Sequence, residues 1–178
     1  SAGQATKKGA PPGSAIYTGP ENAAPVSISI FDYDASTLTE RTHVTVADCA
    51  AYKETSSVTW INVDGLHDAT LIKDICKAFD VHELAMEDIL NPTTRPKVED
   101  YKDQLFVTVK MAKPGTWTDL AVVEQISCVL GPTYVLSFQE RPGDLFDSLR
   151  MRLRNKVGRI RDEAPDHLLH ALLDAVVD

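Results

Sequence analysis

The chain has 178 residues, of which 43% are hydrophobic and 25% are charged, and this composition is typical of one soluble globular domain with its own core. The formal net charge of −8 is unfavourable for a nucleic-acid or anionic-membrane surface and is compatible with cation binding. Cys49, Cys76 and Cys128 are far apart and form no Cys-x-x-Cys pair, so neither a disulfide framework nor a zinc site is predicted.

The N-terminal segment differs in composition from the rest of the chain. It is rich in Gly, Pro, Ala and Ser, which predicts a disordered tail or linker over residues 1–25 and a folded domain over residues 26–178. The chain has no initiating Met and its last predicted helix stops abruptly at Asp178, so we expect a piece of a longer protein. No apolar run approaches the roughly 18–20 residues that a membrane-spanning helix needs.

The first half of the domain combines strands with helices. Alternating apolar residues and β-branched runs predict strands over residues 26–34, 40–46 and 57–65, and helical patterns predict helices over residues 46–54 and 67–80. A further helix is predicted to begin at Asp80, where Glu83 would complete a capping box. Pro92 and Pro96 end this helix, because proline cannot continue a helical backbone.

The second half is predicted to be a run of strands followed by helices. The predicted elements are strands over residues 97–112, 120–131 and 134–140, a helix over residues 145–158 and a last helix with Pro165 in its first turn. Short turns at residues 113–116 and 131–133 favour an antiparallel meander. Asp144 is predicted to cap the first of these helices. A mixed sheet with helices packed on it follows, so the fold class is α/β or α+β.

Enzyme signatures are absent from the sequence. It contains no Gly-x-Gly-x-x-Gly, no Walker phosphate loop, no Gly-x-Ser-x-Gly and no His-Glu-x-x-His. The spacing of its Ser, His and Asp residues suggests no catalytic triad. The chain is therefore predicted not to be an enzyme.

The last helix carries a polar stripe. Its predicted buried face consists of Leu168, Leu169, Leu172, Leu173 and Val176. His167, His170, Asp174 and Asp178 gather on the opposite side, the last three at successive i+4 positions. Such spacing is compatible with a transition-metal site. The alternative is a solvated face, or a face that meets another helix or protomer.

A basic run precedes that helix. Its members are Arg150, Arg152, Arg154, Lys156, Arg159 and Arg161. They are compatible with contacts to nucleic acid or lipid headgroups. The preferred interpretation is a solvated helix end, because no aromatic residues interleave to stack on bases.

An acidic pair, Glu87 and Asp88, lies close to the predicted end of a helix, shortly before Pro92. Backbone carbonyls make the field there negative, which disfavours each anion by up to about 1 kcal/mol. Adjacent helical residues point about 100° apart, so the two carboxylates face two neighbours or two ions more easily than they chelate one. Oxygen ligands suit a hard cation such as Mg²⁺. The alternative is an acidic, solvated turn.

The segments "EDILN", "RPKVE", "SFQE" and "LLDAVVD" occur in that order. In this combination the chain resembles, over roughly residues 26–178, the N-terminal cytoplasmic domain of the CorA family of magnesium and cobalt transporters. The resemblance implies an αβα sandwich, in which a mixed, largely antiparallel sheet lies between helical layers. It also implies a homopentamer at the cell inner membrane, with this domain in the cytoplasm.

The resemblance identifies Glu87 and Asp88 with the family's acidic pair at regulatory sites between protomers, and Asp174 with a third acidic residue there. It implies that these carboxylates bind Mg²⁺, or Co²⁺, and that Mg²⁺ favours the closed state. The pore signature Gly-Met-Asn, the stalk and the membrane helices of the family are missing from the chain. Contact with the membrane is therefore expected only through the missing C-terminal helices, and no nucleic-acid partner is expected. The alternatives are the cytoplasmic domain of a related zinc transporter and a stand-alone soluble α/β domain that binds a small ligand.

Overall fold

The structure is a computed structural model that describes residues 25–92, 95–114 and 121–177. It contains a seven-stranded sheet with helices on both faces. The strands are β1 (Ser27–Tyr33), β2 (Leu38–Arg41), β3 (Val58–Asp64), β4 (Lys97–Asp100), β5 (Leu105–Pro114), β6 (Ala121–Leu130) and β7 (Tyr134–Gln139). The helices are α1 (Val46–Ala50), α2 (Ala69–Ala78), α3 (Glu83–Leu90), α4 (Asp147–Arg154) and α5 (Pro165–Val177), with a 3₁₀ turn at Ile160–Asp162. The predicted tail up to residue 24, residues 115–116 of the predicted turn and Asp178 of the polar stripe lie outside the described ranges, while residues 113 and 114 of that turn belong to β5.

The strand order is β2-β1-β3-β7-β6-β5-β4. Only β3 and β7 run parallel, and the other neighbouring strands are antiparallel. The strands β4 to β7 follow one another as the predicted meander. The mixed, largely antiparallel sheet predicted from the sequence is therefore confirmed.

Two cores lie on opposite faces of this sheet, because successive side chains of a strand point to opposite sides. On β1, Ile28 and Ile30 point into the first core, while Phe31 and Tyr33 point into the second. The helices α1, α2 and α3 cover the first core, and α4 and α5 cover the second. The predicted αβα sandwich is confirmed, and the acidic pair and Asp174 belong to different layers of it.

The helix predicted to begin at Asp80 begins instead at Glu83. His82 caps it, because the Nδ1 atom of His82 accepts a hydrogen bond from the Leu84 N–H at 3.1 Å. Asp80 ends the preceding helix, at a left-handed φ of 52°. The Val81 N–H donates a hydrogen bond to the Cys76 carbonyl at 2.9 Å, as in a Schellman C-cap. Aspartate tolerates the left-handed conformation of this cap better than most residues.

Several further boundaries differ from the sequence prediction; for example, the helix predicted over residues 46–54 ends at Ala50. The strand predicted over residues 40–46 ends at Arg41, because Thr45 and Asp48 form a capping box that starts α1. The strand predicted over residues 97–112 is a hairpin of β4 and β5, with Lys102 at a φ of 68° in the turn. Asp144 does not cap α4, which begins at Asp147 without a side-chain cap.

Candidate metal site

The acidic pair lies on the last turn of α3, which ends at Leu90 with Asn91 as its C-cap. Ala85 and Ile89 of this helix are buried in the first core, and this orients the helix so that Glu87 and Asp88 lie at the rim, both half-buried. The prediction that the pair lies at a helix C-terminus is confirmed, and the negative field there calls for a balancing cation.

Asp88 already has such a cation within its own chain. The Lys97 Nζ atom donates a hydrogen bond to Asp88 Oδ2 at 2.7 Å, and the Asp88 side chain is only 17% exposed. This hydrogen bond is the main reason why the pKa of Lys97 is raised. Lys97 opens β4, and its backbone N–H is held by Thr108 Oγ1 at 3.1 Å. The partnership was not predicted from the sequence, although Lys97 lies in the "RPKVE" segment.

The backbone beneath the pair is fixed to the sheet by two buried or half-buried side chains. Gln125 Nε2 donates to the carbonyl of Asp88 at 2.8 Å, and Gln125 is 1% exposed. Lys110 Nζ donates to Gln125 Oε1 at 2.8 Å and also to the Pro92 carbonyl. Burial lowers the pKa of Lys110. The strands β5 and β6 therefore hold the end of α3 independently of the Asp88 carboxylate.

The Glu87 carboxylate is placed differently. Within the described residues, no hydrogen bond or ion pair reaches it. Because neighbouring helical side chains diverge by about 100°, it points away from the Asp88–Lys97 pair. Glu87 and Asp88 thus offer two separate oxygen ligands at one rim.

Asp174 lies in the other helical layer, on the exposed side of α5. Its side chain is 59% exposed, and its Oδ2 atom is 3.7 Å from His170 Nε2. In the parts of the chain that the structure describes, no three His, Cys, Asp or Glu side chains converge to hold a metal ion. One chain therefore does not bring Asp174 and the acidic pair into a common site.

Three of the six residues in the basic run make hydrogen bonds or ion pairs within the fold. Arg161 is 6% exposed and donates to the carbonyls of Asp34, at 2.8 Å, and Leu153, at 3.3 Å. Arg154 pairs with Glu40, and Arg150 pairs with Asp147 while its guanidinium lies over the Trp60 ring. These contacts favour the interpretation in which the run serves the fold and the solvated surface, not nucleic acid.

The cysteines and a cleft provide no competing site. All three thiols are free and buried, and burial raises the pKa of Cys49, Cys76 and Cys128 to about 12, which disfavours the thiolate that metals bind. A cleft of about 260 Å³ lies at the opposite end of α3. Its Lys53 pairs with Asp80, and its Tyr134 hydroxyl is held by Gln104 at 2.7 Å. The polar groups of this cleft therefore stabilise the fold.

Two buried carboxylates were not predicted from the sequence, since a strand pattern does not distinguish them from solvated ones. Glu140 Oε1 accepts the Gln125 N–H at 2.9 Å, and Glu124 Oε1 accepts the Arg141 N–H at 3.1 Å. Burial raises the pKa of Glu140. A raised folded-state pKa disfavours the ionised carboxylate in the fold, so its contribution to stability falls as pH rises through its titration. Both carboxylates fix the backbone where β6 begins and β7 ends.

Comparison with known proteins points to one family. The sequence model of the family described as CorA-like Mg²⁺ transporter protein matches residues 55–178. The cobalt/magnesium transport protein CorA of Thermotoga maritima is 37% identical over 172 residues, in an alignment that covers 97% of this chain and 49% of that protein. The chain therefore spans about half the length of this relative.

Solved structures share the fold at low sequence identity. The ZntB cytoplasmic domain of Vibrio parahaemolyticus is 14% identical with a TM-score of 0.63, and the match covers 86% of this chain and 58% of that one. The CorA magnesium transporter of Methanocaldococcus jannaschii is 11% identical with a TM-score of 0.62, and the match covers 87% of this chain and 45% of that one. No helix within the described ranges is long and apolar enough to cross a membrane. Since the family model matches well over half of its length, the chain belongs to the CorA-like Mg²⁺ transporter family.

Proposed function

We propose that the chain is the cytoplasmic, ion-sensing part of a CorA-like transporter of divalent cations, Mg²⁺ or Co²⁺, in the inner membrane. In this proposal Glu87, Asp88 and Asp174 contribute to Mg²⁺ sites between protomers of a homopentamer. The observation that carries it is the Asp88–Lys97 ion pair, in which an anchored carboxylate already holds a cation at 2.7 Å.

The ligand types fit a hydrated hard cation. Mg²⁺ keeps several waters and takes one or two carboxylates from a protein, and Glu87 and Asp88 supply such oxygens without nitrogen or sulfur ligands beside them. Zinc prefers His and Cys. The cysteines here are buried, and His170 lies beside Asp174 and not beside the acidic pair, so the alternative of a zinc transporter has less support. Because α3 and α5 cover opposite faces of the sheet, a site that includes both the pair and Asp174 has to form between two chains.

Electrostatic repulsion supplies the mechanism. Two carboxylates about 4 Å apart repel each other by roughly 4 kcal/mol at an effective dielectric constant near 20. Glu87, whose carboxylate has no ion partner within the described residues, therefore pushes facing protomers apart unless a divalent cation lies between them. A high internal Mg²⁺ concentration then favours the closed ring, and depletion favours the open one, through differential binding to the two states.

Protection against proteolysis tests this function in the full-length protein. We expect Mg²⁺ to slow trypsin cleavage of the assembled parent, because the bound cation keeps protomers together. The variant Glu87→Gln/Asp88→Asn should need at least about tenfold more Mg²⁺ for the same protection, a typical coupling between sites. The matched control is Glu54→Gln/Asp74→Asn, which removes two exposed acidic side chains, one before β3 and one on α2. Equal protection of both variants would contradict the proposed site.

A further inference from the structure

Lys97 occupies the position at Asp88 that the proposed function gives to a divalent cation. Its ammonium contacts Asp88 Oδ2 at 2.7 Å, and its own side chain is 32% exposed. β4 is one of the two edge strands of the described sheet, and its hairpin partner β5 fixes the Lys97 backbone through Thr108. The fold thus delivers one positive charge to the carboxylate from within the same chain.

We propose that Lys97 is a built-in competitor of the divalent cation, whose ammonium neutralises Asp88 in the ion-free chain and has to leave before the cation binds. This inference rests on the proposed function and adds a residue that sets the Mg²⁺ affinity of that site. Lys97 would raise the Mg²⁺ concentration at which the site fills, and so keep the sensor from closing the ring at low Mg²⁺.

The geometry allows the ammonium to leave without disturbing the fold. The end of α3 is held by its backbone, through Gln125 and Lys110, and not by the Asp88 carboxylate. Lysine carries its charge on a flexible four-carbon stem, so the ammonium can swing away while β4 stays paired. The pair is partly open to water, with side-chain exposures of 32% for Lys97 and 17% for Asp88, so a hydrated cation can approach the carboxylate.

A second carboxylate is available to the displaced ammonium. Glu99 lies two positions along β4, and its charge also contributes to the raised pKa of Lys97. Side chains two apart on a strand point to the same face. Lys97 can therefore exchange Asp88 for Glu99 with a change of side-chain rotamer alone.

A titration of the full-length assembly with MgCl₂, followed by its protection against chymotrypsin, tests the competition. This protease cleaves after large apolar residues and not after lysine, so the variants at Lys97 and Lys53 keep its aromatic cleavage sites. Lys97→Met removes the charge and keeps the length of the side chain, and we expect it to lower the half-saturating Mg²⁺ concentration about fivefold, which is at the upper end for an exposed pair. Lys97→Arg keeps a cation there and should bind Mg²⁺ like the parent. Lys53→Met is the matched control, because Lys53 also pairs with an aspartate, Asp80, and its loss changes the net charge equally.

The outcomes separate this inference from the proposed function. Tighter binding by Lys97→Met alone, abolished when Asp88→Asn is added, is the expected result. Unchanged binding by Lys97→Met, together with lost binding by Asp88→Asn, would overturn the competitor role and leave the proposed site standing. Equal tightening by Lys97→Met and Lys53→Met would overturn it too, since only net charge would then matter. Saturable Mg²⁺ binding that Asp88→Asn leaves unchanged, or no Mg²⁺ binding in any variant, would overturn both the competitor role and the proposed site.

Discussion

Changing Glu87 and Asp88 together to alanine in the full-length transporter should leave transport active at internal Mg²⁺ concentrations that close the parent. In the proposed mechanism these carboxylates hold the ion that favours the closed ring, so without them Mg²⁺ should no longer shift the equilibrium between the two states. The fold should survive, because Gln125 binds the carbonyl of Asp88 and not its side chain. The loss of the pair with Lys97 should cost about 1 kcal/mol or less.

Flux measurements at a series of internal Mg²⁺ concentrations check this result. The parent should show inhibition as Mg²⁺ rises, and the double variant should show a flat response. Glu54→Ala/Asp74→Ala serves as the control, since it removes two negative charges from exposed positions before β3 and on α2. Mg²⁺ inhibition that is unchanged in the double variant would exclude Glu87 and Asp88 as the regulatory ligands.

Trp60→Ala should lower the free energy of unfolding by about 3–5 kcal/mol, the usual cost of removing a large buried aromatic side chain. Trp60 is 1% exposed at the centre of the second core, with ring centroids 5.5 Å from Phe31 and 5.6 Å from Phe146. Its Nε1–H also donates to Ser137 Oγ at 2.8 Å. The variant therefore loses packing against Phe31 and Phe146 and a buried hydrogen bond between β3 and β7.

Urea unfolding followed by far-ultraviolet circular dichroism measures this loss. Trp60→Phe is the control, because it keeps an aromatic ring between Phe31 and Phe146 but gives up the hydrogen bond to Ser137. It should cost clearly less than Trp60→Ala. A decrease below about 1 kcal/mol for Trp60→Ala would mean that the second core does not depend on this residue.

The sheet was predictable because its signals are local. The alternation in β1 and the short connections of the meander each follow from adjacent residues. The start of α3 was not predictable in the same way. Asp80 followed by Glu83 matches a capping box, but the chain uses Asp80 in a left-handed C-cap for the previous helix, and only the packing of α2 and α3 decides between the two.

At the candidate site, too, the sequence predicts what depends on adjacent residues and misses what depends on tertiary contacts. Glu87 and Asp88 were singled out in the sequence because two anions at a helix C-terminus violate a local rule, and their interpretation as metal ligands rested on the family resemblance. Lys97, Lys110 and Gln125 were not found, because they reach α3 from three different strands and depend on the pairing of β4, β5 and β6. Their role at the rim depends on contacts between residues that are distant in sequence.

In the proposed function a divalent cation binds between protomers at these carboxylates. Anomalous diffraction from Co²⁺ in crystals of the full-length assembly would locate such a cation directly. Cobalt stands in for Mg²⁺ and reveals its own position. We predict a peak at the rim of α3, within ligand or water-bridged distance of Glu87 or Asp88 of one protomer and facing its neighbour, with the Lys97 ammonium no longer on Asp88. Peaks only elsewhere, with Lys97 still bound to Asp88 in every protomer, would contradict the claim.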